Sequence, residues 1–229
     1  MKPKKVCYTE LAWLIGIAVL ALGTALMERA DFGLSMVVAP AYLLHLKLSQ
    51  ALPWFSFGAA EYALQALLLA GLALVMGRFK RGYLFSFATA AVYGLALDGA
   101  IRGVSLLPWA GIAGRAVCFF SGQLLGALGI AFLFHTYLAP EAYELVVREL
   151  SGKLGAPISR VKTIYDGCSC LTAILLSFAF FGFGRFEGVK LGTVFCALIN
   201  GWLIGRFGAL LERALDFRDG LKLRGLFEA

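Results

Sequence analysis

Residues 11–35 read LAWLIGIAVLALGTALMERADFGLS. From Leu11 to Met27 no side chain carries a charge, and then Glu28, Arg29 and Asp31 arrive within four positions. A helix on a soluble surface keeps one apolar stripe and one polar face, whereas a helix that is apolar all round is buried in a large core or in lipid. The composition of the whole chain decides between the two. Hydrophobic residues make up 60% and charged residues 15% of 229 positions, with a mean hydropathy of +0.81. Soluble domains sit nearer ~45–50% apolar and ~25% charged, so the excess exceeds what one soluble core hides. A helix satisfies its own backbone in hydrocarbon, and the alternating patterns of a membrane barrel are absent. The expected fold class is therefore all-α, a polytopic transmembrane helical bundle.

A crossing needs roughly 20 apolar residues. Such runs lie near 11–29, 55–77, 83–101, 114–137, 162–183 and 189–211. Two further pieces, 35–48 and 140–154, are too short or too polar for ordinary spans and are expected to interrupt or re-enter; if both crossed, there would be eight spans. The second, PEAYELVVRELSGKLG, is amphipathic, with Glu141, Glu144, Arg148 and Glu149 among apolar residues.

Charge tests the count of six. With both ends on one side, fourteen bases fall there, at the amino terminus and around 78–81, 148–162 and 213–224; six (Arg29, Lys47, Arg102, Arg115, Arg185, Lys190) fall opposite, and Arg206 lies within the last span. That bias places both termini in the cytoplasm. It also accounts for the net charge of +7 without nucleic acid. The basic start, MKPKKVCYTE, resembles a signal peptide, but no small-residue cleavage site follows the apolar run, so it is read as a retained first span. The five cysteines, Cys7, Cys118, Cys168, Cys170 and Cys196, are an odd set mostly within apolar segments, and a disulfide framework is not expected. Cys168 and Cys170 point about 200° apart on a helix, which excludes a shared metal.

The chain repeats at a spacing of about 105 residues. ALGTA at 21–25 answers ALGIA at 127–131, GRF at 77–79 answers GRF at 184–186, and Gly94 answers Gly201. The two repeats, 1–105 and 106–229, each hold three spans and a short interrupted helix. An odd number of spans inverts the second half relative to the first, an architecture recurrent in transporters with substrate near the midplane. The glycines at 122, 126 and 129 share roughly one face and favour close helix packing.

ALGTALMERADFGLS, YELVVRELSGKLGAPISRVKTIYD and GVKLGTVFCALINGWLIGRF together resemble the YczE/YyaS/YitT group of bacterial multi-pass membrane proteins, over about residues 11–211. The resemblance rests on the aromatic–acid pair Tyr143–Glu144 opening the second short helix, on Lys162 followed by Asp166, and on Gly188, Gly192 and Thr193 in a looser G-x-G-T turn. After GLS the group continues with Pro, Trp and an acid, where this chain has Met36, Val37 and Val38. The resemblance implies a bacterial inner membrane and leaves the substrate open.

An ionisable group in hydrocarbon costs several kcal/mol unless it is paired or faces water. Glu61 lies inside the second span and Asp166 at the matching place in the fifth; in inverted halves they approach the midplane from opposite sides and are expected to bind a cation or take up a proton. The bland alternative places each at the interface beside a base, and for Asp166 that base is Lys162, one turn earlier. Gly33 is expected to break the first helix and Ser35 to cap the short helix after it, forming an anion-favouring helix start that Arg29 reinforces and Asp31 opposes. Glu28 belongs to the same stretch. The alternative for Arg29 and Asp31 is an idle headgroup ion pair. In the second half, HTYLAPEAYE offers Pro140 as a helix start, His135 as a titratable group, or merely as a hydrogen-bonded side chain, and Glu144. Asn200 and Arg206 in the last span are candidates to line a cavity, unless Arg206 extends to the interface. Asp98 pairs most simply with Arg102.

These features favour a small-solute transporter or exporter using acidic residues near the midplane. The alternatives are a solute-binding subunit of a larger transport complex and a membrane enzyme or assembly factor; no familiar catalytic motif is present, so the chain is not read as an enzyme. No cofactor and no metal are expected. The expected partners are the bilayer, a small solute or ion, and further copies of the chain.

Overall fold

The structure, a computed structural model, describes residues 4–33, 35–55, 57–80, 82–106, 111–187, 189–221 and 224. Lys2, Arg81 and Lys222 of the inner basic set and Gly188 of the turn motif lie outside these residues, as does the side chain of Asp98. Among the described residues the elements run β1 (Lys5–Tyr8), α1 (Thr9–Ala30), α2 (Ala39–Leu48), α3 (Phe57–Met76), α4 (Gly82–Ser105), α5 (Gly111–Phe134), α6 (Ala142–Leu154), α7 (Ile158–Phe181), α8 (Leu191–Ala214) and β2 (Leu215–Arg218). The all-α bundle holds.

Helices α1, α3, α4, α5, α7 and α8 are long and apolar enough to cross a membrane. A 24-residue helix is about 36 Å long, against a hydrocarbon core of about 30 Å. Helices α2 and α6, with 10 and 13 residues, reach only about 15 and 20 Å and do not cross. The bundle presents Leu67, Leu74, Leu95, Leu198 and Trp202 outward, each well exposed, as lipid-facing surfaces do.

Helices α1 and α5 form the central pair. Gly16 meets Gly129 and Gly23 meets Gly122 and Gly126, so contacts descend along α5 as they ascend α1, and the pair is antiparallel. A Cβ on Gly129 would lie 2.6 Å from the Leu20 nitrogen, and one on Gly23 2.7 Å from the Gly122 carbonyl oxygen. Only glycine lets the backbones approach this closely. Around this pair the halves mirror each other: α1 packs on α4 as α5 packs on α8, and α2 packs on α7 as α6 packs on α3. The likeness stops at α7 and α8, which pack together while α3 and α4 hardly touch. Gly201 explains this. A Cβ there would come within 2.8 Å of the Thr163 nitrogen, whereas Gly94, its counterpart, faces open space.

Several boundaries differ from the sequence reading. Helix α1 ends at Asp31, which adopts the left-handed conformation (φ 53°) and donates its N–H to the Glu28 carbonyl, two residues before Gly33. Ser35 does not cap α2: the N-cap is Val38, Pro40 supplies the start, and the Ser35 carbonyl instead accepts the N–H groups of Val38 and Ala39 in a preceding turn. Likewise α6 starts at Ala142 with Glu141 as N-cap, not at Pro140. In both cases proline bends the chain into the helix without itself being its end. The strands were not anticipated. β1 and β2 pair in parallel, Lys5 opposite Leu215 and Tyr8 opposite Arg218, and Glu10 accepts N–H groups from Gly220 and Leu221. Segments 5–8 and 215–218 therefore meet at one end of the bundle, which fits an even number of crossings.

Candidate functional site

Helix α6 lies inside the bundle, and the irregular backbone before it is satisfied there rather than by water. Thr89 of α4 donates to the Ala139 carbonyl at 2.6 Å, and the Arg148 guanidinium donates to the Thr136 and Leu138 carbonyls at 3.1 and 3.2 Å. Buried non-helical backbone needs such partners. So fixed, α6 buries Tyr143 and Glu144 between α3 and α7, on which it packs.

Helix α7 brings Lys162 and Asp166 to the same face, one turn apart. The Lys162 Nζ lies 2.9 Å from Asp166 Oδ1 and 3.3 Å from Glu144 Oε1; the three side chains are 1%, 0% and 6% exposed. Lys162 thus leaves the inner-side basic tally and becomes the centre of a buried ion cluster. Its Nζ also stands 5.7 Å from the Tyr165 ring. On the far side of Asp166, Asn200 of α8 donates to Oδ2 at 3.1 Å, and Gln123 of α5 donates to Asn200 Oδ1 at 3.2 Å. A continuous polar chain therefore runs Gln123–Asn200–Asp166–Lys162–Glu144 across α5, α8, α7 and α6.

Beyond Glu144, the Tyr143 hydroxyl donates to Glu61 of α3, with Gln65 buried one turn further along α3. Glu141 is buried as well, and its Oε1 has no hydrogen-bond partner among the described residues. Burial, with Glu144 and Glu61 nearby, pushes the Glu141 carboxyl well above the usual carboxylate range. Two carboxyls, Asp166 and Glu144, thus share one ammonium, with Glu61 and Glu141 nearby.

A cavity of about 80 Å³ opens on the Gln123–Asn200 end of the chain; Thr24, Glu28 and Ser35 line it among mainly apolar neighbours such as Leu20, Met36 and Ile130. A water's share of liquid is about 30 Å³, so a few waters fit. Two residues of the opening stretch, Glu28 and Ser35, therefore reach the site through this cavity.

Arg29, half-buried on α1, does not line it. Asp31 is not in it. Its carboxylate is 68% exposed and pairs with Lys190 at 2.5 Å and Arg115 at 3.2 Å. The same two bases donate to the Ala30 and Asp31 carbonyls, so they close the carboxyl end of α1, where cations are favoured. The hydrogen bond from Lys190, and then the charge of Arg115, hold the Asp31 carboxyl below its usual range.

Glu61 and Asp166 have separate partners, Tyr143 and Lys162, and no hydrogen bond joins them among the described residues. His135 lies apart, hydrogen-bonded to the Ala131 carbonyl, beside Glu212 and stacked on Phe217 of β2. Arg206 is exposed over the Trp202 ring. Gln123 went unread in the sequence; its signal is a lone amide within the otherwise uncharged run from Ala116 to Phe134, and such an amide seeks a partner on another helix.

The model of a family described as "Family of unknown function (DUF6198)" matches residues 7–209. No curated protein and no solved structure matches the chain.

Proposed function

The chain belongs to this DUF6198 family, and we propose that it is a proton-coupled small-solute transporter of the bacterial inner membrane, with both termini cytoplasmic. The observation that carries the reading is the buried Lys162 held between Asp166 and Glu144, with buried Glu141 and half-buried Glu61 nearby, joined through Asn200 to a small, largely apolar cavity. Buried ionisable groups in membrane helices mark ion and proton pathways. Lys162 already supplies the cation that Asp166 and Glu144 would otherwise bind, which favours proton exchange over metal binding. Antiparallel packing of α1 on α5, the corresponding helices of the two repeats, supports an inverted-repeat design. The resemblance to YczE/YyaS/YitT proteins supports the bacterial inner-membrane location alone.

In the mechanism this reading implies, solute enters beside Glu28 and Ser35, displaces water near Gln123 and Asn200, and disturbs the bonds of Asn200 to Asp166. Lys162 then shifts its weight between Asp166 and Glu144, and a proton moves on or off the carboxyls linked to Glu61. The test is uptake by proteoliposomes of a uniformly ¹⁴C-labelled small-molecule extract under an inward pH gradient. Wild type should accumulate label and lose it with a protonophore. Asp166→Asn and Glu61→Gln should abolish the accumulation while eluting from size exclusion as wild type does. Undiminished uptake by both variants would remove the carboxylates from the mechanism.

A further inference from the structure

A second cavity, of about 460 Å³, lies away from the ion cluster, between the carboxyl end of α3, the α3–α4 connection and α6. Its volume falls in the range that holds small ligands, ~300–1,000 Å³. Four cations line it, Arg78, Lys80, Arg148 and Lys153, against the single carboxylate of Glu149. That carboxylate is already engaged: Lys80 binds both its oxygens, at 2.8 and 3.0 Å, and the Tyr83 hydroxyl donates to it at 3.4 Å. The pair ties the α3–α4 connection to α6 and fixes the cavity's shape. Lys153 donates to the Val75 carbonyl near the end of α3. The Arg78 guanidinium is exposed, and no hydrogen bond or ion pair among the described residues restrains it. The cavity therefore carries an excess of three positive charges, four less one.

The cavity belongs to the end of the bundle where β1 and β2 pair. Arg148 binds the Thr136 carbonyl, next to His135, which stacks on Phe217 of β2. A cytoplasmic bias in basic residues explains why cations are at this end; it does not explain why four converge on one concavity. Beside them stand Leu74, Val75, Phe79 and Leu154, with exposures of 83%, 52%, 57% and 67%. A soluble anion has no use for such a rim. A lipid does: its phosphate neutralises the bases while its acyl chains lie along the apolar side chains.

We infer that this cavity binds the phosphodiester headgroup of an anionic phospholipid. Basic pockets at cytoplasmic helix ends take such headgroups, at about fivefold in affinity for each base. Arg78 and Lys153 reach the headgroup, while Lys80 and Glu149 keep the wall in place.

The experiment is native mass spectrometry of the delipidated full chain, titrated with phosphatidylglycerol or with phosphatidylcholine of the same acyl chains. Wild type should retain phosphatidylglycerol in preference. Arg78→Gln with Lys153→Gln should weaken that retention about twenty-five-fold, two fivefold steps, and the charge-preserving Arg78→Lys with Lys153→Arg should keep it. Should the double glutamine variant fail to fold, Arg78→Gln alone, at an exposed side chain, should still lose about fivefold. Equal retention of the two lipids, or full phosphatidylglycerol retention by Arg78→Gln, overturns the proposal. Inorganic phosphate serves as competitor: displacement of the lipid by millimolar phosphate would identify a soluble anion as the occupant and overturn the lipid assignment, and persistence of the lipid supports it.

Discussion

Replacing Lys162 with methionine removes the one ammonium from the buried cluster and keeps most of its volume. The Nζ stands 2.9 Å from Asp166 and 3.3 Å from Glu144, with all three side chains almost wholly buried. At an effective dielectric of about 20, each contact carries about 5 kcal/mol of attraction before desolvation is counted. Breaking one buried pair by deleting a partner typically costs about 3–5 kcal/mol, and Lys162 serves two carboxylates, so a loss of about 4 kcal/mol is expected for Lys162→Met. Asp166→Asn should cost less, about 1–2 kcal/mol, because the amide still meets Asn200 and Lys162 keeps Glu144. The double variant should lose less than the sum of the two, with a coupling of at least about 1.5 kcal/mol. Reversible unfolding in mixed micelles by SDS titration, followed by tryptophan fluorescence, measures all three. A loss below about 1 kcal/mol for Lys162→Met, or additive single variants, would refute a cluster organised by this lysine.

Two further outcomes concern the frame around the site. Gly129→Ala forces a Cβ against the Leu20 and Gly16 backbones and should cost about 1–3 kcal/mol or more, whereas Gly126→Ala, on the same helix with open space around it, should be near neutral; thermal unfolding of the two purified variants compares them directly. The Asp31 carboxyl is held below its usual range by Lys190 and Arg115, so its contribution is present above the unfolded value, about 3.9, and fades as pH falls through the lower folded value. Because the pair is exposed the contribution stays under about 1 kcal/mol. Wild type should therefore lose a little more stability than Asp31→Asn between pH 5 and pH 3, since asparagine tolerates the left-handed backbone at this position without titrating; an equal loss in both proteins would refute it.

The sequence made the frame legible because hydropathy acts over whole helices. Each of the six apolar runs overlaps an observed spanning helix, and the two pieces set aside as too short became α2 and α6. The stripe of Gly122, Gly126 and Gly129 announced its helix contact, and a Lys–Asp pair one turn apart announced the 2.9 Å contact of Lys162 with Asp166. What stayed hidden depends on meetings between distant segments. Nothing local to Glu144 says that it shares Lys162 with Asp166, since that depends on how α6 folds back into the bundle. The opening stretch misled for a similar reason. Asp31 reads as a charge opposing an anion at the next helix start, or as half of an ion pair with Arg29, yet its partners Lys190 and Arg115 come from 159 and 84 residues away and use it to close α1. The paired strands escaped because a four-residue strand has too little length for an alternating pattern to register, and its partner lies at the other end of the chain.

The central claim is that the buried carboxyls exchange protons as solute moves, and the internal pH of pyranine-loaded proteoliposomes reads that exchange. On addition of an unlabelled small-molecule extract to one side, wild-type vesicles should show a change in internal pH that is absent from protein-free vesicles and from vesicles carrying Asp166→Asn. An identical trace in all three preparations, or an undiminished response from Asp166→Asn, would contradict the account.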